Sequence, residues 1–505
     1  RRADELYLLG RIAFEQRDTA AAKHALEAAV EAAPDHVQAR LYLGRTLIAL
    51  GQAQEAVAAL ERAVELRPEH AATLAALSDA YMAAGRHERA LQSAARAVRL
   101  DPRCGEHHQR LATLYAMGGR LHEARASLIN ALTLRPDVPA WQAQMGEICL
   151  QLGMAGAARS AFAKAAELAP DDPTFGYALA RTLARQGKTA EARVALDRAV
   201  AAAPEQGEWR YELARILEEL GEREAARTHL IAAAQFAPDV VEHWRALAAA
   251  QREAGDVECA RETLERALLR FGDSAPLHLA LGAILEEQGE TPAAIWHYEQ
   301  AAASAPNVAE HWWRLGRAQL ENGDAAEARK SLERALALDP DAAEAHAALA
   351  QIFAAEEDDR AALAHIQRAA ELAPDVALYQ AQLADAYAHM RRYDEARQAL
   401  ERATRLQPDD AELLARYGEM ALAVGLNREA LQAFERAIEK QPDEARYHFL
   451  AGRAHRRLKH YGRAIERFRR AVKLRPGYSE AIVELSTLGP LAFVAQHLRR
   501  DDQAA

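Results

Sequence analysis

Small and large apolar residues recur along the chain at fixed places, with a period of 34 residues. Stepping by 34 from Pro34 meets Pro68, Pro102, Pro136, Pro170, Pro204 and Pro238, then Gly272, then Pro306, Pro340, Pro374, Pro408, Pro442 and Pro476. That makes 14 units with 13 prolines and no insertion or deletion, the first starting at Ala3 and the last running from Ala445 to Tyr478. The eighth position of every unit is Gly, Ala or Ser, from Gly10 and Gly44 through Gly452. The twentieth is always Ala (Ala22 to Ala464), and so is the twenty-seventh (Ala29 to Ala471). Seven residues make two helical turns, so these two alanines share one face.

Larger residues fill between them. The seventh position is mostly Leu (Leu9, Leu43, Leu77, Leu111), and the twenty-fourth mostly Leu or an aromatic (Leu26, Leu60, Phe162, Phe434). Gly at the fifteenth position in ten units predicts a left-handed cap ending a first helix. The proline then stops a second helix. Each unit is predicted to be a helical hairpin, its small residues letting the two helices lie close.

With a small residue, Ala, Ala and Pro at those offsets, residues 3–478 resemble the tetratricopeptide repeat (TPR) family. The resemblance implies an all-α, right-handed superhelical α-solenoid. First helices would line a concave groove, second helices the convex side, and fourteen units would make nearly two superhelical turns. The family's Trp at the fourth position occurs here only at Trp244 and Trp312. Residues 479–505 read as a C-terminal cap: Ile482, Leu485 and Leu488 at helical spacing, a break at Gly489-Pro490, then a short helical tail. At Phe271-Gly272-Asp273, where Pro is missing, an ordinary glycine cap or a hinge is expected.

Composition narrows the class. Half the residues are hydrophobic and only 6% aromatic, with Ala dominant, which suits closely packed helices. No apolar run reaches the roughly 18 residues a membrane span needs. Cys104, Cys149 and Cys259 are isolated and read as small neutral residues, neither a zinc site nor a disulfide framework. The chain opens with Arg1 and no Met, so a cytoplasmic location is the default expectation, with secretion or the periplasm left open by processing.

Catalytic motifs are missing from the sequence. Gly187-Lys188-Thr189 has Thr182 where a phosphate-binding loop needs Gly, and it falls at an inter-helix turn. The clusters His107-His108 and His448, His455, His460 read as surface decoration without metal partners. Neither a catalytic site, nor a metal, nor a cofactor is expected.

Binding chemistry is more promising. In TPR proteins the second, fifth, ninth, twelfth and thirteenth positions line the groove. An aromatic at the fifth is always followed by Arg at the ninth: Tyr7/Arg11, Tyr177/Arg181, Tyr211/Arg215, Trp313/Arg317 and Phe449/Arg453. Residues four apart stack on a helix, so each pair presents a ring beside a guanidinium. Such pairs suit an extended peptide, Arg reading carboxylates or carbonyls and the ring an apolar side chain. The alternative is that Arg merely shields its ring. The Lys/Asn clamp of chaperone-binding TPR domains is lacking, as is the groove Asn ladder of protein O-GlcNAc transferases; no ninth position holds Asn.

Charge is uneven. Net charge is −11, yet the last unit has eleven Lys or Arg against Glu466 alone, a net +10, so the remainder carries −21. Arg456, Arg457, Lys459, Arg463, Arg467, Arg469, Arg470 and Lys473 form the expected basic patch. Its predicted partners are an acidic protein or the acidic body of another copy, head to tail, with nucleic acid and membrane surfaces disfavoured. The expected function is a non-enzymatic scaffold holding protein or peptide partners in the groove. Two other readings stay open: the recognition arm of a larger enzyme such as a protein glycosyltransferase, and a self-assembling structural solenoid.

Overall fold

The computed structural model describes residues 2–488. It is all-helical, with no strand among these residues. Twenty-eight helices run from Arg2–Glu15 to Tyr461–Leu474, helices of thirteen or fourteen residues alternating with helices of fourteen or fifteen. The chain divides into two compact units, residues 1–250 and 251–505. Each is a stack of antiparallel hairpins, the second helix of one packing on the first helix of the next.

The two invariant alanines explain the closeness of that stack. Ala22, Ala56, Ala124, Ala158, Ala294 and Ala430 have no exposed surface, and neither do Ala29, Ala63, Ala131, Ala165, Ala301 and Ala437. The eighth and twenty-fourth positions fit as a matched pair. A Cβ placed on Gly146 would lie 2.7 Å from the ring of Phe162. Gly282 meets Tyr298 at 2.6 Å, while Gly418 meets Phe434 and Gly452 meets Phe468 at 2.5 Å. All four aromatics at position 24 therefore face a glycine. Where position 8 is Ala, as at Ala112, Ala180 and Ala214, the partner is the smaller Leu128, Leu196 or Leu230. Ser78, which faces only Ala94, turns its hydroxyl to the Ala90 carbonyl at 2.9 Å.

The turn at position 15 is left-handed throughout. Its ten glycines have φ between 71° and 91°, and Arg17, Glu357, Arg391 and Lys459 adopt φ near 60° where glycine is missing. At Gly272 the helix Val257–Phe271 runs one residue long and ends with φ of 64°, a value closed to proline, whose ring holds φ near −65°. That is the physical reason the proline series breaks here.

Joints between hairpins carry a hydrogen bond that composition does not announce. The side chain at position 4 donates back to the carbonyl of the preceding proline: Arg40 to Pro34 at 2.7 Å, Arg210 to Pro204 at 2.6 Å, Trp244 to Pro238 and Trp312 to Pro306 at 3.0 Å. His108, His346 and His448 pair with Pro102, Pro340 and Pro442 in the same way. Histidines expected on the surface are thus inside: His107, His108, His448 and His455 are all buried. Positions 4 and 23 face each other within a hairpin, which brings His278 Nδ1 to 2.9 Å from His297 Nδ1 and His346 Nδ1 to 2.9 Å from His365 Nδ1. Each contact needs one protonated and one bare nitrogen. Burial, reinforced by His278, pushes His297 down to about 4, and burial lowers His278 and His365 as well.

Residues 479–488 are helical and lie on the last hairpin. Ala481 and Leu488 are buried and Leu485 packs with them, but Ile482 is 45% exposed, contrary to the expected stripe. The buried face follows 481, 485 and 488 instead, and Glu484 accepts from Arg456 at 2.5 Å. The expected break and helical tail at 489–505 lie outside the described residues.

Three outcomes are expected. Gly146→Ala overpacks Phe162 and costs about 1–3 kcal/mol despite the better helix propensity of Ala; adding Phe162→Leu, which recreates the Ala112/Leu128 pairing, recovers most of the loss in denaturant melts. Gly at positions 17, 357, 391 and 459 relieves a left-handed cost of about 1 kcal/mol each, so the quadruple variant melts higher. Finally, a histidine held neutral in the folded chain but free to take a proton near 6.5 when unfolded stabilises above that pH. Thermal stability therefore falls as pH drops from 6.5 towards 4, and less steeply in His297→Gln.

Candidate functional site

Neighbouring first helices touch one another directly: Arg2–Glu15 with Val37–Ala49, Val37–Ala49 with Ala71–Ala83, Ala309–Glu321 with Ala343–Ala355, and Ala411–Ala423 with Ala445–Arg457. No two second helices approach as closely among the described residues. Within each unit the first helices thus form the tighter face. Positions 5 and 9 stand on it, and the five aromatic–Arg pairs differ in what they offer.

Tyr177 is half-buried and stacks on Trp209 of the next hairpin, with centroids 4.9 Å apart and planes at 19°. Arg181 lies over its ring at 5.6 Å and is itself exposed. Burial, with Glu208 close by, pushes the Tyr177 hydroxyl up to about 12, so the ring stays neutral and donates towards Glu208 at 3.5 Å. The same motif follows one hairpin on. Tyr211 lies 5.0 Å from His243 and reaches Glu242 at 3.5 Å, while exposed Arg215 sits 3.7 Å from Glu212. Helices Pro173–Arg185 and Gly207–Glu219 thereby carry two exposed guanidinium groups near two ring contacts, one stacked and one tilted at 34°.

The other pairs are more occupied. Tyr7 packs against His36 and Tyr42, and Arg11 turns to Glu15 at 3.5 Å. Trp313 is covered by Arg314 at 4.9 Å and Arg317 at 5.6 Å, and Arg317 is bound to Glu286 at 2.7 Å. Phe449 is buried against Phe468 and Tyr478, with Arg453 over it at 5.9 Å. Sequence reasoning missed the partners: Trp209 and His243 at position 3, and Glu208 and Glu242 at position 2. Glu at position 2 one hairpin after Tyr177 and Tyr211, where Gln38 follows Tyr7, was the available signal.

The basic patch is partly neutralised within the chain. Arg456 binds Glu484 and Arg467 binds Glu435, both at 2.5 Å, and Arg470 meets Asp443 at 3.3 Å. Arg457, Lys459, Arg463, Arg469 and Lys473 are without an ion-pair partner among the described residues, and all are exposed. No helix among the described residues is long and apolar enough to cross a membrane.

The structure is similar to that of the Cut9–Hcn1 hetero-tetramer of the APC/C, at 16% identity and a TM-score of 0.42, with 90% of this chain and 96% of that chain aligned. It is also similar to TTC0263, a thermophilic TPR protein of Thermus thermophilus, at 29% identity and a TM-score of 0.32, over 36% of this chain and 98% of that one. YrrB, described as a TPR protein with an unusual peptide-binding site, aligns at 20% identity and a TM-score of 0.35, over 37% of this chain and 95% of that one. No curated protein matches the sequence. Tetratricopeptide repeat models match residues 7–71, 110–173, 245–309 and 421–479, about half the chain, and others match 47–115, 183–250, 285–352 and 376–420. With matched Gly and aromatic knobs, invariant buried alanines and these family matches, the chain belongs to the tetratricopeptide repeat family.

Proposed function

We propose that the protein is a non-catalytic scaffold that binds extended peptide segments of partner proteins on the first-helix face of residues 1–250, at Tyr177, Arg181, Tyr211 and Arg215. Residues 3–478 act as fourteen tandem repeats, and 479–488 cover the last one. The observation that carries the reading is the pair of exposed guanidinium groups, each near a tyrosine whose ring packs on the next hairpin, Tyr177 stacked on Trp209 and Tyr211 tilted against His243. These rings are held before a ligand arrives, so little side-chain entropy is lost on binding. Arg181 and Arg215 would take carboxylates or main-chain carbonyls, while the tyrosine edges receive apolar side chains. Tyr7/Arg11, Trp313/Arg317 and Phe449/Arg453 serve mainly to shield and stiffen their helices.

The five cations of the basic patch that have no ion-pair partner among the described residues favour a second contact with an acidic surface, another copy of this chain included. Nucleic acid and membrane are disfavoured partners in this reading.

A random-peptide display library panned against the full chain tests the groove. Enriched sequences are expected to combine acidic and apolar residues. Their affinity should fall at least tenfold in Arg181→Ala/Arg215→Ala, with the melting temperature unchanged, since both side chains are exposed. Enrichment that survives the double substitution would refute the site.

A further inference from the structure

The joint between the third and fourth repeats contains a group of side chains that the peptide-binding reading does not use. Asp101 ends the helix His87–Leu100, Cys104 is the N-cap of Gly105–Met117, and His107 lies in its first turn. One carboxylate oxygen of Asp101, the thiol sulfur of Cys104 and one ring nitrogen of His107 all lie within 4.8 Å of one another. It is the one such three-ligand group among the described residues.

A second observation points to a ligand. His107 is only 8% exposed, and its Nδ1 is buried with no hydrogen-bond partner. A buried nitrogen left unmatched costs about 1–3 kcal/mol. His229, His243 and His455 also leave Nδ1 unmatched, but among the described residues only His107 belongs to a three-ligand group. We propose that Asp101, Cys104 and His107 bind a thiophilic divalent cation of the zinc class.

The chemistry of the donors fits. Sulfur, imidazole nitrogen and carboxylate oxygen are the ligand types zinc takes, with bonds of about 2.0–2.3 Å and hence ligands roughly 3.5 Å apart. Asp101 is exposed and sits in the turn, so its carboxylate approaches an ion without a helix having to move. Burial holds the Cys104 thiol above its ordinary range, yet the backbone N–H groups of Glu106 and His107 point at it and favour the thiolate. The helix N-terminus adds to that preference. Glu106 has its Oε2 3.3 Å from the Cys104 sulfur and its Oε1 held by Arg135 at 2.5 Å, so either Glu106 or water completes four-coordination. Of the cations nearby, Arg110 is paired with Asp79 at 2.6 Å and Arg135 with Glu106 at 2.5 Å. Seven consecutive residues supply all three ligands, so an ion would tie the end of one hairpin to the start of the next and stiffen that joint.

The test uses the full metal-free chain carrying Cys259→Ser, which removes an exposed competing thiol, titrated with Co²⁺ as a spectroscopic stand-in for Zn²⁺. One ion per chain is expected, with a thiolate-to-cobalt charge-transfer band that Zn²⁺ bleaches. Cys104→Ser should abolish the band. His107→Gln and Asp101→Asn should each weaken binding at least tenfold while circular dichroism stays helical. Affinity should rise with pH, because the thiol loses its proton on binding. A folded chain that gives no band, or a band that persists in Cys104→Ser, would overturn the proposal.

Discussion

The tight approach of two helices within each hairpin depends on one contact, the eighth residue against the twenty-fourth. A helix pair separated by small residues leaves a narrow gap that the two positions fill together: an aromatic at position 24 always faces glycine, while leucine faces either glycine, as at Gly44/Leu60, or alanine, as at Ala112/Leu128. Glycine opposes phenylalanine at Gly146/Phe162, alanine opposes leucine at Ala112/Leu128, and serine opposes alanine at Ser78/Ala94. Interiors packed this densely do not tolerate a change on one side alone. The regular stack, and so the spacing at which first-helix side chains meet across hairpins, follows from that close packing.

Between hairpins the constraint is polar. Stopping a second helix with proline leaves its carbonyl at a crowded joint, and the next helix offers a donor from position 4 to satisfy it. Trp, Arg and His all serve, because what matters is an N–H at the right reach. A search of the sequence for Trp alone therefore sees only two of these joints. Buried histidines escaped notice for the same reason: as a residue type His reads as surface, yet at positions 4 and 23 it acts as a hydrogen-bonding core residue.

The helices, their pairing, the left-handed turns and the buried alanines were legible in the sequence, since each rests on steric rules that act within 34 residues. Which aromatic–Arg pairs remain open was not legible, because it depends on neighbours one repeat away. Tyr177 and Tyr211 lean on Trp209 and His243 and leave Arg181 and Arg215 exposed, whereas Phe449 is closed over by Phe468 and Tyr478. Ile482 likewise has helical spacing with Leu485 but faces outward, since residues 479–488 bury a single narrow stripe through Ala481, Leu485 and Leu488.

The binding account centres on one face of two adjacent first helices. Amide hydrogen exchange of the full chain, measured with and without a saturating selected peptide, tests that face most directly. The account predicts added protection in Pro173–Arg185 and Gly207–Glu219, with the second helices that follow them unchanged. Protection confined to second helices, or to the basic hairpin of Ala445–Arg457 and Tyr461–Leu474, would contradict it.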